Sequence, residues 1–235
     1  MNNISIVNCP NCNSVNPYFN TNCSVCNFFL RDKIPNINLG EIILSLIESP
    51  NKAFERIILS NNKNYVLLLL TFLSVRFFIL SRFISIPFTN QNSDFELLTT
   101  YTYFFITTGL MIFIISHLIN LFCRIIKVHS RFKDVFSVLV FSFFPSSIAI
   151  FLLYPIELTV YGKYLFSNNP YPFDIKENVF YVFIVFELFL IIWSFILQIK
   201  GLLALRLKFI TSINISIFNY LLLTGYLFFS KKVFL

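Results

Sequence analysis

The sequence predicts an all-α integral membrane protein: five transmembrane helices with a small N-terminal four-cysteine zinc ribbon. Three observations carry that reading. The 235 residues are 57% hydrophobic, 19% aromatic and only 12% charged, whereas a soluble domain is near a quarter charged. Five stretches are long and apolar enough to cross ~30 Å of hydrocarbon, which takes about 20 residues of helix. Two C-x2-C pairs stand close to the start of the chain.

The ribbon comes first, over residues 1–30. Cys9 and Cys12 form one pair and Cys23 and Cys26 the other. Each pair makes a knuckle that turns two thiolates toward one point, and two knuckles make the closed tetrahedral site of structural Zn2+. A module this short has little core, so the metal supplies its folding energy. Asn13 and Asn27 follow the second cysteine of each knuckle, where the backbone turns left-handed and Asn is tolerated after Gly. The pattern is similar to the short zinc ribbons at the ends of many membrane proteins. A redox dithiol or a pair of disulfides is the rival reading, and the spacing favours zinc. With all four ligands from protein, no position stays open for water or substrate, so the site is not catalytic. Cys123, at the end of an apolar stretch, reads as a small apolar residue, with palmitoylation as the alternative. Residues 1–35 hold no apolar core after a basic start, so no secretory signal is expected.

Residues 31–64 read as a linker and an interfacial amphipathic helix. Ser49 suits an N-cap and Pro50 a first turn. Ala53, Phe54, Ile57 and Ile58 then share one face, with Lys52, Glu55 and Arg56 elsewhere. The segment is too short and too charged to span, which suits a helix lying on the membrane surface. The other reading is a soluble helix packed on the ribbon.

Residues 65–235 hold the spans, expected at 65–86, 97–122, 135–154, 178–199 and 211–229. The first ends before Pro87 and the third before Pro155, where helices stop or bend. Pro145, with Ser146 and Ser147, interrupts the third span. The residues predict a kink there, with a hinge as the alternative. Charge orients the bundle. Arg31, Lys33, Lys52, Arg56 and Lys63 precede the first span. Arg124, Lys127, Arg131 and Lys133 follow the second, and Lys200, Arg206 and Lys208 follow the fourth. The opposite side has only Lys163, Lys176, Lys231 and Lys232. The positive-inside rule puts the N-terminus in the cytoplasm and the C-terminus across the membrane. The net charge of +7 therefore sits at span ends, where it meets anionic headgroups of the lipid bilayer rather than nucleic acid.

Three motifs point to a family. Pro50-Asn51-Lys52-Ala53-Phe54-Glu55-Arg56-Ile57 reads P-x-x-A-F-x-x-I. Arg131-Phe132-Lys133-Asp134, running to Phe141-Ser142-Phe143-Phe144-Pro145, gives a basic foot and a Y-S-x-x-P-like core with Phe141 in the Tyr place. Trp193 leads to Gly201-Leu202 before the last span. In order and spacing these resemble the Yip (Ypt-interacting protein) family of multi-spanning membrane proteins, in the form with an N-terminal zinc ribbon. The resemblance implies a five-span core with a cytoplasmic N-terminus. Eukaryotic members are associated with Rab-type small GTPases and vesicle traffic. Their D-L-Y-G-P signature is absent here, so GTPase binding does not carry over.

Arg76 and Glu187 lie mid-way along the first and fourth spans, about eleven and twelve residues from the same face. At ~1.5 Å per residue their depths nearly match. A lone charge at mid-bilayer is costly, so the two are expected to pair. The pair is a polar site or an ion pathway on one reading and a register lock on the other. Arg82 is expected to snorkel outward. His117, Asn120, Asn214 and Asn219 line a polar cavity or bond between helices. Motifs for metalloprotease, hydrolase or phosphate-binding chemistry are missing, and no enzyme is expected. The leading expectation is a binding or scaffold protein in membrane organisation or traffic, its ribbon docking a cytoplasmic protein partner. The alternative is a small transporter or channel with a polar site around Arg76 and Glu187.

Overall fold

The computed structural model describes residues 6–84, 97–166 and 172–230. It opens with a hairpin, β1 (Ile6–Asn8) antiparallel to β2 (Val15–Pro17), with Val7 opposite Asn16. The two cysteine knuckles repeat one hydrogen-bond pattern. Cys9 N–H donates to Ser14 O at 2.9 Å and Asn13 N–H to Cys9 O at 2.9 Å. Cys23 N–H donates to Phe28 O at 2.8 Å and Asn27 N–H to Cys23 O at 3.1 Å. Asn13 and Asn27 are left-handed, with φ of 55° and 57°.

The chain then runs beside the turn that precedes the bundle. Asn61 N–H reaches Ile34 O at 2.9 Å, and the Asn64 amide bonds both the N–H and the C=O of Ile37 at 3.0 Å. Helices α1 (Leu39–Glu48) and α2 (Pro50–Leu59) flank Ser49, whose side chain makes no cap bond; Pro50 alone sets the first turn of α2. The apolar face of α2 is covered by protein. Ala53, Phe54, Ile57 and Ile58 are wholly buried, and α2 packs on α5 (Phe132–Ser142) and α8 (Glu177–Ala204). An amphipathic face seats equally well on lipid or on protein, and here helix ends cover it.

The remaining long helices are α3 (Val66–Ile84), α4 (Leu97–Ile125), α6 (Phe144–Tyr161) and α9 (Phe209–Ser230), with a short α7 (Pro172–Ile175). Among the described residues four helical stretches are long and apolar enough to cross a membrane, against the five expected. They are Tyr101–Ile125, Phe132–Tyr161, Glu177–Ala204 and Phe209–Phe228. In α3 the apolar stretch is the shorter Val66–Leu80, and the expected end of that span, with Pro87, lies outside the described residues. So does the side chain of Arg82.

The third span differs from expectation in two ways. It breaks at Phe143 (φ −85°, ψ 10°), so α5 and α6 are separate helices with Pro145 in the first turn of α6. Ser142 Oγ donates to Leu139 O at 2.7 Å and Ser147 Oγ to Phe143 O at 3.2 Å, occupying carbonyls around the break. The span also continues past Pro155, which sits inside α6. A proline removes one ladder bond, and packing on α3 and α8 holds the helix through it.

Two helices end in Schellman turns with a cation in the left-handed position. After α4, Lys127 has φ 59° and Val128 N–H reaches Cys123 O at 2.8 Å. After α8, Arg206 has φ 68° and Leu207 N–H reaches Leu202 O at 3.3 Å. Such turns satisfy the last orphan carbonyls of a helix. Among the glycines, Gly201 of α8 is the most tightly packed. A Cβ there would lie 2.5 Å from Val138 Cγ1 and 3.1 Å from Phe54 Cε1.

Candidate functional site

The four cysteines converge. Their sulfur atoms all lie within 4.8 Å of one another. Cys9 and Cys26 are 3.5 Å apart and Cys12 and Cys23 3.6 Å, sulfur to sulfur. A tetrahedral metal with ~2.3 Å metal–sulfur bonds needs sulfurs about 3.8 Å apart, so the donor set fits a four-coordinate metal. Backbone N–H of Cys26, the Ser14 hydroxyl and the N–H of Val25 hold the Cys23 thiol down at about 5. A thiol poised as thiolate is the form that binds metal. Asn16, fully buried, accepts from Ser24 N–H at 2.8 Å and fixes the second knuckle against the hairpin. Cys123 lies apart and wholly buried at the end of α4, so the palmitoylation reading is overturned: the sulfur is enclosed.

A second cluster joins the ribbon to the bundle. Asp134 accepts from Arg131 Nε at 2.6 Å and Nη2 at 3.1 Å, and pairs with Lys63 Nζ at 2.9 Å. Burial pulls the Lys63 ammonium down to about 8 despite that partner. Arg131 also donates to Ile58 O at 2.8 Å and lies 4.4 Å from the centre of the Phe19 ring. Arg206 lies 5.3 Å from the Tyr18 ring and 3.4 Å from Glu55. Arg31 reaches both Phe19 O and Leu59 O. The ribbon thus rests its aromatic pair on two arginines at the helix ends. Cation–π contacts of this kind are worth about 0.5–1 kcal/mol each at exposed sites.

The third cluster is inside the bundle. Arg76 is wholly buried and contacts two carboxylates: Nη2 meets Glu187 Oε1, and Nη1 is 3.5 Å from Glu157 Oε2. Among the described residues, Arg76 Nε, Glu157 Oε1 and the Tyr161 hydroxyl are buried without a hydrogen-bond partner. Reading the sequence missed Glu157. Its signal was a lone carboxylate in an otherwise apolar run, obscured by taking Pro155 as a stop. Between them α6 and α8 leave a groove of about 560 Å³ walled by apolar side chains such as Leu153, Ile156, Phe183 and Phe186, with none of the three charged residues in its lining. Of the residues at the break in the third span, Ser146 Oγ meets Ser194 Oγ of α8 at 3.3 Å. Asn120 Oδ1 accepts from Ser130 at 3.0 Å.

The motifs read from the sequence meet in space. Ala53, Phe54 and Ile57 of α2, Val138 of α5 and Gly201 and Leu202 of α8 form one contact. The Yip1 domain matches residues 44–230, most of the chain and all of those motifs. This chain belongs to the Yip1 domain family. The Yip1 match covers α2 to α9 and leaves the cysteine cluster N-terminal to it. No curated protein and no solved structure matches the chain.

Proposed function

We propose that this Yip1-family protein is a non-enzymatic membrane scaffold whose N-terminal ribbon, closed by structural zinc, docks a cytoplasmic protein. The observation that carries the reading is the ribbon's outer surface. Val25 is 73% exposed and Phe29 58%, with Phe28 beside them, while Tyr18 and Phe19 hold the opposite side of the ribbon on Arg206 and Arg131. An apolar patch on a rigidly seated module outside the spans suits a protein interface. Four thiolates at this spacing favour zinc among the available metals. The twelve basic residues flanking the ribbon side of the spans favour a cytoplasmic N-terminus and a C-terminus across the membrane.

The test is a photocrosslinker at position 25 in native membranes. The expected result is a discrete protein adduct, lost in Phe29→Asp and lost again in Cys23→Ser/Cys26→Ser, with membrane insertion unchanged. An adduct pattern that ignores both changes, or lipid adducts alone, rejects the docking surface.

A further inference from the structure

The charge cluster within the bundle carries an inference independent of the ribbon. One guanidinium faces two carboxylates there. The side chains of Arg76 and Glu157 are 0% exposed and that of Glu187 12%. Among the described residues no second cation contacts either carboxylate. Full ionisation would enclose a net negative charge in a bundle surrounded by hydrocarbon, where an uncompensated charge is strongly unfavourable. Among the described side chains, the other titratable groups near Glu157 are Tyr154 and Tyr161, within one turn on α6. Within two turns of Glu187, α8 carries no other charged residue. Neither tyrosine supplies a positive charge.

The missing charge has to be a cation, and the geometry selects the smallest. Arg76 lies between the two carboxylates, so a metal ion on either would sit beside a guanidinium. The two carboxyls are unequal. Glu187 makes the close contact with Arg76. Glu157, wholly buried, has the 3.5 Å contact, and its Oε1 meets no hydrogen-bond partner among the described residues.

We propose that this cluster is a proton-binding site, in which Arg76 and Glu187 form the ion pair and Glu157 carries one proton exchangeable with water at neutral pH. Uptake converts the Glu157 carboxylate to the acid and leaves the cluster neutral; release restores the net negative charge.

The test is infrared spectroscopy of the full chain in lipid nanodiscs, reading the protonated-carboxyl stretch at neutral pH. The wild type is expected to show one protonated carboxyl per chain, which moves on 13C-labelling of glutamate and shifts slowly in heavy water. Charge balance fixes the variants. Glu157→Gln and Glu187→Gln each leave one carboxylate for Arg76, so the band vanishes. Arg76→Gln leaves two carboxyls with no cation, so the band doubles. A wild-type spectrum without the band overturns the proposal. So does a band that glutamate labelling leaves in place, a reading that needs no variant to fold.

Discussion

Asp134 has a side chain 1% exposed and faces both Arg131 and Lys63. Removing one partner of a buried charge group leaves the others uncompensated, a loss of about 3–5 kcal/mol. Asp134→Asn is therefore expected to lower the unfolding free energy of the detergent-solubilised chain by about that amount, read by chemical or thermal unfolding. A loss below about 1 kcal/mol, the range of exposed pairs, would reject the buried-clamp account. Some single residues were readable in advance and some were not. Asn13 and Asn27 announced left-handed turns because a knuckle needs one after its second cysteine. Arg76 announced a partner because a mid-span charge cannot stay alone. Glu157 stayed hidden because Pro155 two residues earlier signals a helix end in water, while packing on α3 and α8 carries α6 through it. Which surface the apolar face of α2 covers was likewise unreadable: periodicity reports a face and not its neighbour.

Three elements owe their crossing to Gly201. Phe54 of α2 and Val138 of α5 fill the space a Cβ would take, with Val138 Cγ1 only 2.5 Å from that position. Gly201→Ala is expected to destabilise by about 1–3 kcal/mol, the usual cost of overpacking. Adding Val138→Ala removes the clashing methyl, so the double variant should lose less than the sum of the two single changes. Strict additivity in the unfolding measurements would show that the elements do not pack there. The break at Phe143 belongs to the same scale. It separates α5, which carries Val138, from α6, which carries Glu157.

The whole molecule combines two kinds of stability. The ribbon has two three-residue strands and four converging sulfurs in place of a core, so its fold is expected to draw on a bound metal, worth about 10–16 kcal/mol in comparable modules. The bundle has an apolar core running from Ile37 to Leu227 that includes Cys123 and none of the four ribbon cysteines. Metal chelation is thus expected to open residues 6–30 to amide exchange and protease, while the exchange protection of α5 and α8 stays as it was. Loss of protection throughout the bundle would contradict this division. Helix α8 spans the distance between the two regions. It is one helix of 28 residues, with Glu187 held against Arg76 along its length and Arg206 just past its end beneath Tyr18. From Glu187 to Ala204 it runs about 26 Å, so a tilt of about 5° moves the far end sideways by about 2 Å. That is a large part of the separation between a guanidinium and the ring it lies against. The ribbon is seated at this end of α8 through Arg206 and at the start of α5 through Arg131, so any tilt of one helix relative to the other would shear its two aromatic seats against each other.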